Sequence, residues 1–310
     1  MITTLTLNPA LDKTIKVPFL SYGEVNRVGA FREDLGGKGI NIGRIFGGFG
    51  VATKNLAIIG EDNRHEVMAY CAKDHMDMIV QVVPGHTRTN MVMVELEKNI
   101  TTNINEQGVA IDQVGFDEFM EKLDEVALNS TYLIMGGSLA KGLPVDTYGR
   151  IAEKYKGKCR VIIDADDDVL LEGLKGAPFL IKPNIHELED ALDRELHTDK
   201  DVIEAGREII HTYGVTYVVV SMGPKGSLLV TADAAYRGGT VPTTIVSTVG
   251  AGDSMLAGFI YGLVQDHELA DCLAIGTACS TVTISCDGYP ILDLGEVLTL
   301  ARKVTVAKID

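Results

Sequence analysis

Short apolar runs alternate with amphipathic stretches along most of the chain. The runs Ile2–Leu7, Asn55–Ile59, Tyr132–Met135, Arg160–Asp164, Phe179–Ile181 and Tyr217–Ser221 are almost continuously apolar and read as strands. Between them, apolar residues at helical spacing predict helices over Asn63–His75, Phe116–Leu128, Val145–Tyr155 and Val202–Tyr213. Strands apolar on both faces need cover on both faces, so the pattern predicts an α/β fold with a mostly parallel central sheet between helical layers. From Gly226 the rhythm changes to short strands at Ser227–Thr231 and Ala235–Gly238, and then to a helical C-terminal third.

Two segments, about 13–33 and 89–105, break this rhythm. In Thr89-Asn90-Met91-Val92-Met93-Val94-Glu95 polar and apolar residues intermingle as in a strand with one wet face. The two segments predict a small sheet standing off the main body as a lid. No Pro/Gly/Ser-rich linker divides the chain, so 1–310 reads as a single domain carrying that lid.

Charge narrows the partners. Lys and Arg number 28 against 43 Asp and Glu, a net charge of −15. Sequence-independent nucleic-acid binding needs a basic footprint, which is lacking. No apolar stretch approaches the roughly 18 residues of a membrane span. The start Met-Ile-Thr-Thr-Leu-Thr-Leu-Asn lacks the marks of a signal peptide, so a cytoplasmic location is expected. Cys71, Cys159, Cys272, Cys279 and Cys286 form no CxxC pair and read as reduced thiols. The even spacing of the last three predicts one buried helix face. No HExxH is present, and no zinc site is expected.

Two glycine-rich turns carry the candidate chemistry. In Ser247-Thr-Val-Gly-Ala-Gly-Asp253, glycines precede a helix expected to start near Asp253, with positive-φ turns expected at Gly250 and Gly252. N–H groups converging at a helix start favour phosphate, and a carboxylate there can accept a proton from an attacking hydroxyl. A plain Asp cap fits the spacing as well. In Asp34-Leu-Gly36-Gly37-Lys38-Gly39-Ile-Asn41 a second turn opens a helix, with a cation inside it. Lys38 is followed by Gly rather than Ser or Thr, so this is no P-loop, and neither turn completes Gly-x-Gly-x-x-Gly. Lys38 alone would read as a solvated loop lysine. Two anion cradles in one chain fit a kinase acting on an already phosphorylated acceptor.

These motifs, with Thr6-Leu-Asn-Pro-Ala-Leu-Asp12, Thr87-Arg-Thr-Asn90, Lys182-Pro-Asn184, Glu187 and Ser221-Met-Gly-Pro-Lys-Gly226, occur in family order. The chain resembles the ribokinase-like PfkB carbohydrate kinases from end to end. The resemblance implies a three-layer α/β/α sandwich with a mostly parallel sheet and a β-sheet lid. It implies ATP and Mg²⁺ as cofactors and a ketohexose phosphate as acceptor. Thr102-Asn-Ile-Asn-Glu106 and Thr87-Arg-Thr-Asn90 lean towards fructose 1-phosphate, giving fructose 1,6-bisphosphate. Tagatose 6-phosphate and fructose 6-phosphate are the alternatives within the family, and a non-catalytic sugar-phosphate sensor is the reading from another class.

By resemblance, Asp253 is the base, with Gly250, Ala251 and Gly252 as the anion hole. Asp12 and Asn41 hold sugar hydroxyls, with Gly37 packed close and Ser138 beside the sugar. Lys38 and Arg88 bind the acceptor's phosphate, with Asn90 and Arg27 as further candidates. Asn184 and Glu187 organise Mg²⁺ through water, with Lys182 nearby, and Ser221, Gly223 and Gly226 line the nucleotide. A homodimer through the lid is implied as well. The chain departs from the family pattern at Gly136-Gly-Ser-Leu-Ala-Lys-Gly142, at Ala165-Asp166-Asp167-Asp168 and at Cys286-Asp-Gly-Tyr-Pro290.

Overall fold

The computed structural model describes residues 1–28, 31–98 and 100–310. Positions 29, 30 and 99, inside the two expected lid segments, lie outside the described residues. The chain opens on β1 (Ile2–Thr6), β2 (Ala10–Val17), β3 (Phe31–Gly36), α1 (Lys38–Gly48), β4 (Thr53–Gly60), α2 (Arg64–Lys73) and β5 (Met78–Val83). Next come β6 (Thr89–Glu95), β7 (Ile100–Asn105), α3 (Gln113–Ala127), β8 (Tyr132–Gly136), α4 (Thr147–Tyr155), β9 (Arg160–Asp164), α5 (Asp167–Leu174) and β10 (Leu180–Ile181). The last third holds α6 (Ile185–Leu192), α7 (Asp199–Tyr213), β11 (Tyr217–Ser221), β12 (Ser227–Val230), β13 (Ala235–Gly238), α8 (Ala251–Val264), α9 (Leu269–Ile284), α10 (Leu294–Ala301) and β14 (Val306–Lys308).

A 10-stranded sheet runs in the order β14-β13-β12-β11-β10-β9-β8-β1-β4-β5. Pairing is parallel from β11 through β5 and antiparallel from β11 to β14. Successive residues of the strands feed opposite cores, as the two-residue period requires. Leu133, Met135, Val161 and Ile163 face α3 to α7, while Tyr132, Ile134 and Ile162 face α1 and α8 to α10. The architecture is the three-layer α/β/α sandwich expected from the sequence. Because the central strands are parallel, their C-terminal ends share one edge, where loops gather the side chains of a site.

The second sheet has the order β3-β2-β6-β7. It differs from expectation in its first half: β2 ends at Val17 because Pro18 cannot donate to a ladder, and residues 18–28 are irregular. Leu11 and Leu35 anchor this sheet to Val67 and Cys71 of α2 and to Ile59 of β4.

Cys272 and Cys279 are fully buried in α9. They face α8 across Gly262 and Gly258, and a Cβ on Gly262 would lie 2.8 Å from Cys272 Sγ. Cys286 does not extend this face. The α9 helix ends at Ile284, and Cys286 sits half-buried in the following turn.

Candidate active site

The start of α8 is built without a side-chain cap. Gly250 occupies it at φ 74°, a left-handed conformation natural to glycine. The first-turn N–H groups beyond it have no helical acceptors and point out of the helix end. Gly252 is already helical, correcting the expectation of a second left-handed turn. Its missing Cβ makes room for Lys182, whose Nζ would lie 3.1 Å from such an atom.

Asp253 projects from this first turn and is only 8% exposed. Its Oδ2 accepts from Asn41 Nδ2 at 2.7 Å. Burial first, and then the nearby Asp164 carboxylate, push its pKa up to about 6, against the pull of Asn41, Lys38 and Lys182. Such a group is ionised at neutral pH and still a competent proton acceptor.

Asp164, at the C-terminal end of β9, organises the cations. Lys38 Nζ donates to Asp164 Oδ1 at 2.9 Å and to Asp166 Oδ1 at 2.8 Å. Lys182 Nζ lies 3.3 Å from Asp164 Oδ2, an ion pair outside hydrogen-bond geometry that leaves this buried oxygen without a hydrogen-bond partner. Burial alone would raise Asp164, but attraction to Lys182 and Lys38 holds it below the usual carboxylate value. Lys38, buried yet pinned between carboxylates, is pushed well above the ordinary lysine range. It therefore stands beside Asp164, where its charge also acts on Asp253. The cause is local: Lys38 opens α1 and its stem runs along Gly136, where a Cβ would approach Lys38 Cβ to 3.0 Å.

The other end gathers on the second sheet. Asp12 of β2 is 9% exposed, accepting from Asn90 Nδ2 at 2.8 Å and from Tyr289 Oη at 2.5 Å. Burial raises its pKa, while Tyr289, Asn90 and Arg88 oppose the rise. Arg88 Nη2 donates to the Asn8 carbonyl at 2.9 Å and to Ser138 Oγ at 3.3 Å. Arg88 Nε and Asn90 Oδ1 are buried without hydrogen-bond partners, so this end retains unspent donor and acceptor capacity. Gly37, at φ 134°, lets the chain pass Thr6, whose Cγ2 would lie 2.6 Å from any Cβ there. Arg27 is exposed in the irregular segment before β3 and is not part of this gathering.

Beside the α8 start lies a cavity of about 380 Å³. Ser221, Gly223, Gly226, Ala251 and Gly252 line it, with Val241, Ile245, Met255, Thr277 and Ile284 as unforeseen walls. Apolar walls dotted with hydroxyls suit a flat base and ribose. Asn184 caps α6 through its Oδ1 and donates Nδ2 to Glu187 Oε1 at 2.5 Å. Burial pushes Glu187 up to about 7. That suits a carboxylate awaiting a cation, since a divalent ion stabilises the charged form. Mg²⁺ keeps most of its waters, so Glu187 acting through water fits it, and Asp164 Oδ2 offers a further acceptor.

Sequence reasoning missed Tyr289, Arg44, Asp164 and Asp166. Tyr289 arrives from the loop after α9, where only its placement in the fold shows that it reaches Asp12.

Residues 5–291 match the pfkB family of carbohydrate kinases. The chain is 32% identical to 1-phosphofructokinase of Bacillus subtilis, covering 91% of this chain and 92% of that protein. It is 34% identical to 1-phosphofructokinase of Rhodobacter capsulatus, with 98% and 97% covered. Phosphofructokinase-2 of Escherichia coli, solved with substrates and products, superposes with a TM-score of 0.90 at 26% identity over 97% of this chain and 98% of that one. A Thermotoga maritima structure with a TM-score of 0.89 at 19% identity, covering 100% and 99%, shares the fold.

Proposed function

This chain belongs to the pfkB family of carbohydrate kinases, and from that premise we propose that it phosphorylates fructose 1-phosphate with ATP. The observation that carries the reading is Asp253, buried at an uncapped helix start, held by Asn41 and flanked by Lys182 and Asp164. The substrate assignment is supported by the names of the curated relatives at 32% and 34% identity. The neighbouring phosphofructokinase-2 structures make fructose 6-phosphate the second reading.

Asp253 accepts the proton of the acceptor's C6 hydroxyl as that oxygen bonds to the γ-phosphorus of ATP, and the bond to the bridging oxygen breaks to release ADP. The first-turn N–H groups of α8 stabilise charge on the transferred group. We assign Lys38 and Lys182 to that same charge, since both sit beside Asp164 at the Asp253 end. Arg88 takes the acceptor's own phosphate, Asn90 supports it, and Asp12 takes a sugar hydroxyl. Mg²⁺, when bound near Glu187 and Asn184, neutralises phosphate charge. The second sheet acts as a lid that excludes water from the transfer.

Pairing of two lids would make a homodimer, since Tyr22, Val25, Phe31, Ile100 and Ile104 stand exposed on this sheet and its connection. Among the described residues no helix is long and apolar enough to cross a membrane, and we place the enzyme in the cytoplasm. Coupled measurement of ADP release, with and without each sugar phosphate, tests the proposal. Release that depends on a sugar phosphate supports a kinase. Tight sugar-phosphate binding without ADP release would instead support a non-catalytic sensor.

A further inference from the structure

Arg44 lies one helical turn beyond Asn41 on α1 and is 4% exposed. Its Nε donates to Asp74 Oδ2 at 2.6 Å, its Nη2 to the Leu35 carbonyl at 2.7 Å and its Nη1 to Asn41 Oδ1 at 2.9 Å. Its carbon centre sits 5.5 Å from the middle of the Tyr289 ring. An arginine can only donate, and an ionised carboxylate can only accept. The Asn41 amide between Arg44 and Asp253 therefore has one orientation that satisfies both neighbours.

We propose that Arg44 is a positioning residue for the base, holding the Asn41 oxygen so that Asn41 Nδ2 stays aimed at Asp253 Oδ2. This rests on the assignment of Asp253 as base. Without Arg44 only Asp253 itself still orients the amide, the Asn41 oxygen is left without its donor, and rotation of the side chain away from this pose lengthens or breaks the bond to Asp253. Asp253 then loses its side-chain donor in a place where burial and Asp164 already disfavour its charge. The other groups facing it are Lys38 from the start of α1, Lys182 after β10 and Tyr289 from the loop after α9. None of them donates a hydrogen bond to it among the described residues. Arg44 works through the amide and not by its own charge, because that charge is paired with Asp74.

The test is the acid limb of kcat/KM against pH, in the full-length enzyme, for Arg44→Met in the native and in the Asn41→Ala background. A lost hydrogen bond to a charged group should move the limb up by about one pH unit, roughly a fivefold loss of activity at the wild-type midpoint and about tenfold well below it. In the Asn41→Ala background the limb should not move further. A limb at its wild-type position in folded Arg44→Met, or an equal shift in both backgrounds, overturns the proposal. Should Arg44→Met fail to fold, Arg44→Lys keeps the charge opposite Asp74 but lacks the fork that reaches Asp74 and Asn41 together. It should raise the limb in the native background alone, and no movement in either background overturns the proposal. Asp253→Asn in parallel separates the two readings. If that variant keeps its activity, the base assignment fails. If it loses activity while the Arg44 variants leave the limb in place, only the Arg44 inference fails.

Discussion

Asp253→Asn removes a proton-accepting oxygen and leaves the side chain's shape and its bond from Asn41 in place. Activity and stability should then move in opposite directions. Loss of a general base lowers kcat by about 10²-fold or more. Stability follows from the carboxyl's shift from 3.8 to about 6 in the fold. The native state holds this proton more tightly than the unfolded chain does, so stability falls as pH rises from about 4 through about 6. Roughly two units at about 1.36 kcal/mol each make the ionised group about 3 kcal/mol destabilising at neutral pH. Asparagine carries no charge and escapes that penalty. The variant should melt higher by roughly 5 °C at about pH 7.5, and the gain should vanish near about pH 4. Thermal melts at both pH values, with ADP release at saturating ATP and sugar phosphate, decide the matter. Near-normal kcat would remove Asp253 from the proton transfer, and a lower melting point at neutral pH would show that its charge is not a burden on the fold.

Arg88→Ala should raise KM for the sugar phosphate by about 10- to 100-fold, the worth of a charge-assisted bond, and leave KM for ATP nearly unchanged. A matching rise in KM for ATP would place Arg88 on the other anion. Glu187→Gln should raise the Mg²⁺ concentration needed for half-maximal rate by about tenfold or more while the fold melts normally, as a titration of rate against Mg²⁺ will show. Gly252→Ala puts a methyl group 3.1 Å from Lys182 Nζ, so kcat should drop about tenfold through displacement of that cation. An unchanged kcat would show that Lys182 yields freely.

Most of the sandwich was legible because its central strands are buried on both faces and carry apolar runs such as Tyr132–Met135 and Val161–Ile163. The α7 helix begins at Asp199, ahead of the predicted Val202, because the Thr198–Asp201 capping box supplies a polar first turn that hydrophobic spacing does not register. Strands β5 and β14 went unpredicted. Both lie at the edges of the large sheet, where half-buried or exposed residues blur the pattern. In the site, the start of α1 at Lys38 and a helix start near Asp253 were legible from glycine placement, although α8 begins two residues earlier, at Ala251. The grouping of Lys38 with Asp164 was not, since their approach depends on α1 passing close over Gly136. Tyr289 was legible only as a departure from the family pattern. Its contact with Asp12 spans 277 positions of sequence, a distance over which local spacing carries no information.

The central proposal is transfer to the C6 hydroxyl of fructose 1-phosphate by a site with a phosphate clamp at one end and a base at the other. Its most direct test is kcat/KM with ATP for fructose 1-phosphate, fructose 6-phosphate, tagatose 6-phosphate and free fructose, with the product identified by phosphorus NMR. Fructose 1-phosphate should be preferred by at least about tenfold over either 6-phosphate and should yield fructose 1,6-bisphosphate. Free fructose, which leaves Arg88 unpaired, should be slower by up to about 10⁴-fold. A tenfold preference for a 6-phosphate would contradict the acceptor assignment, and a preference for free fructose would contradict the clamp itself.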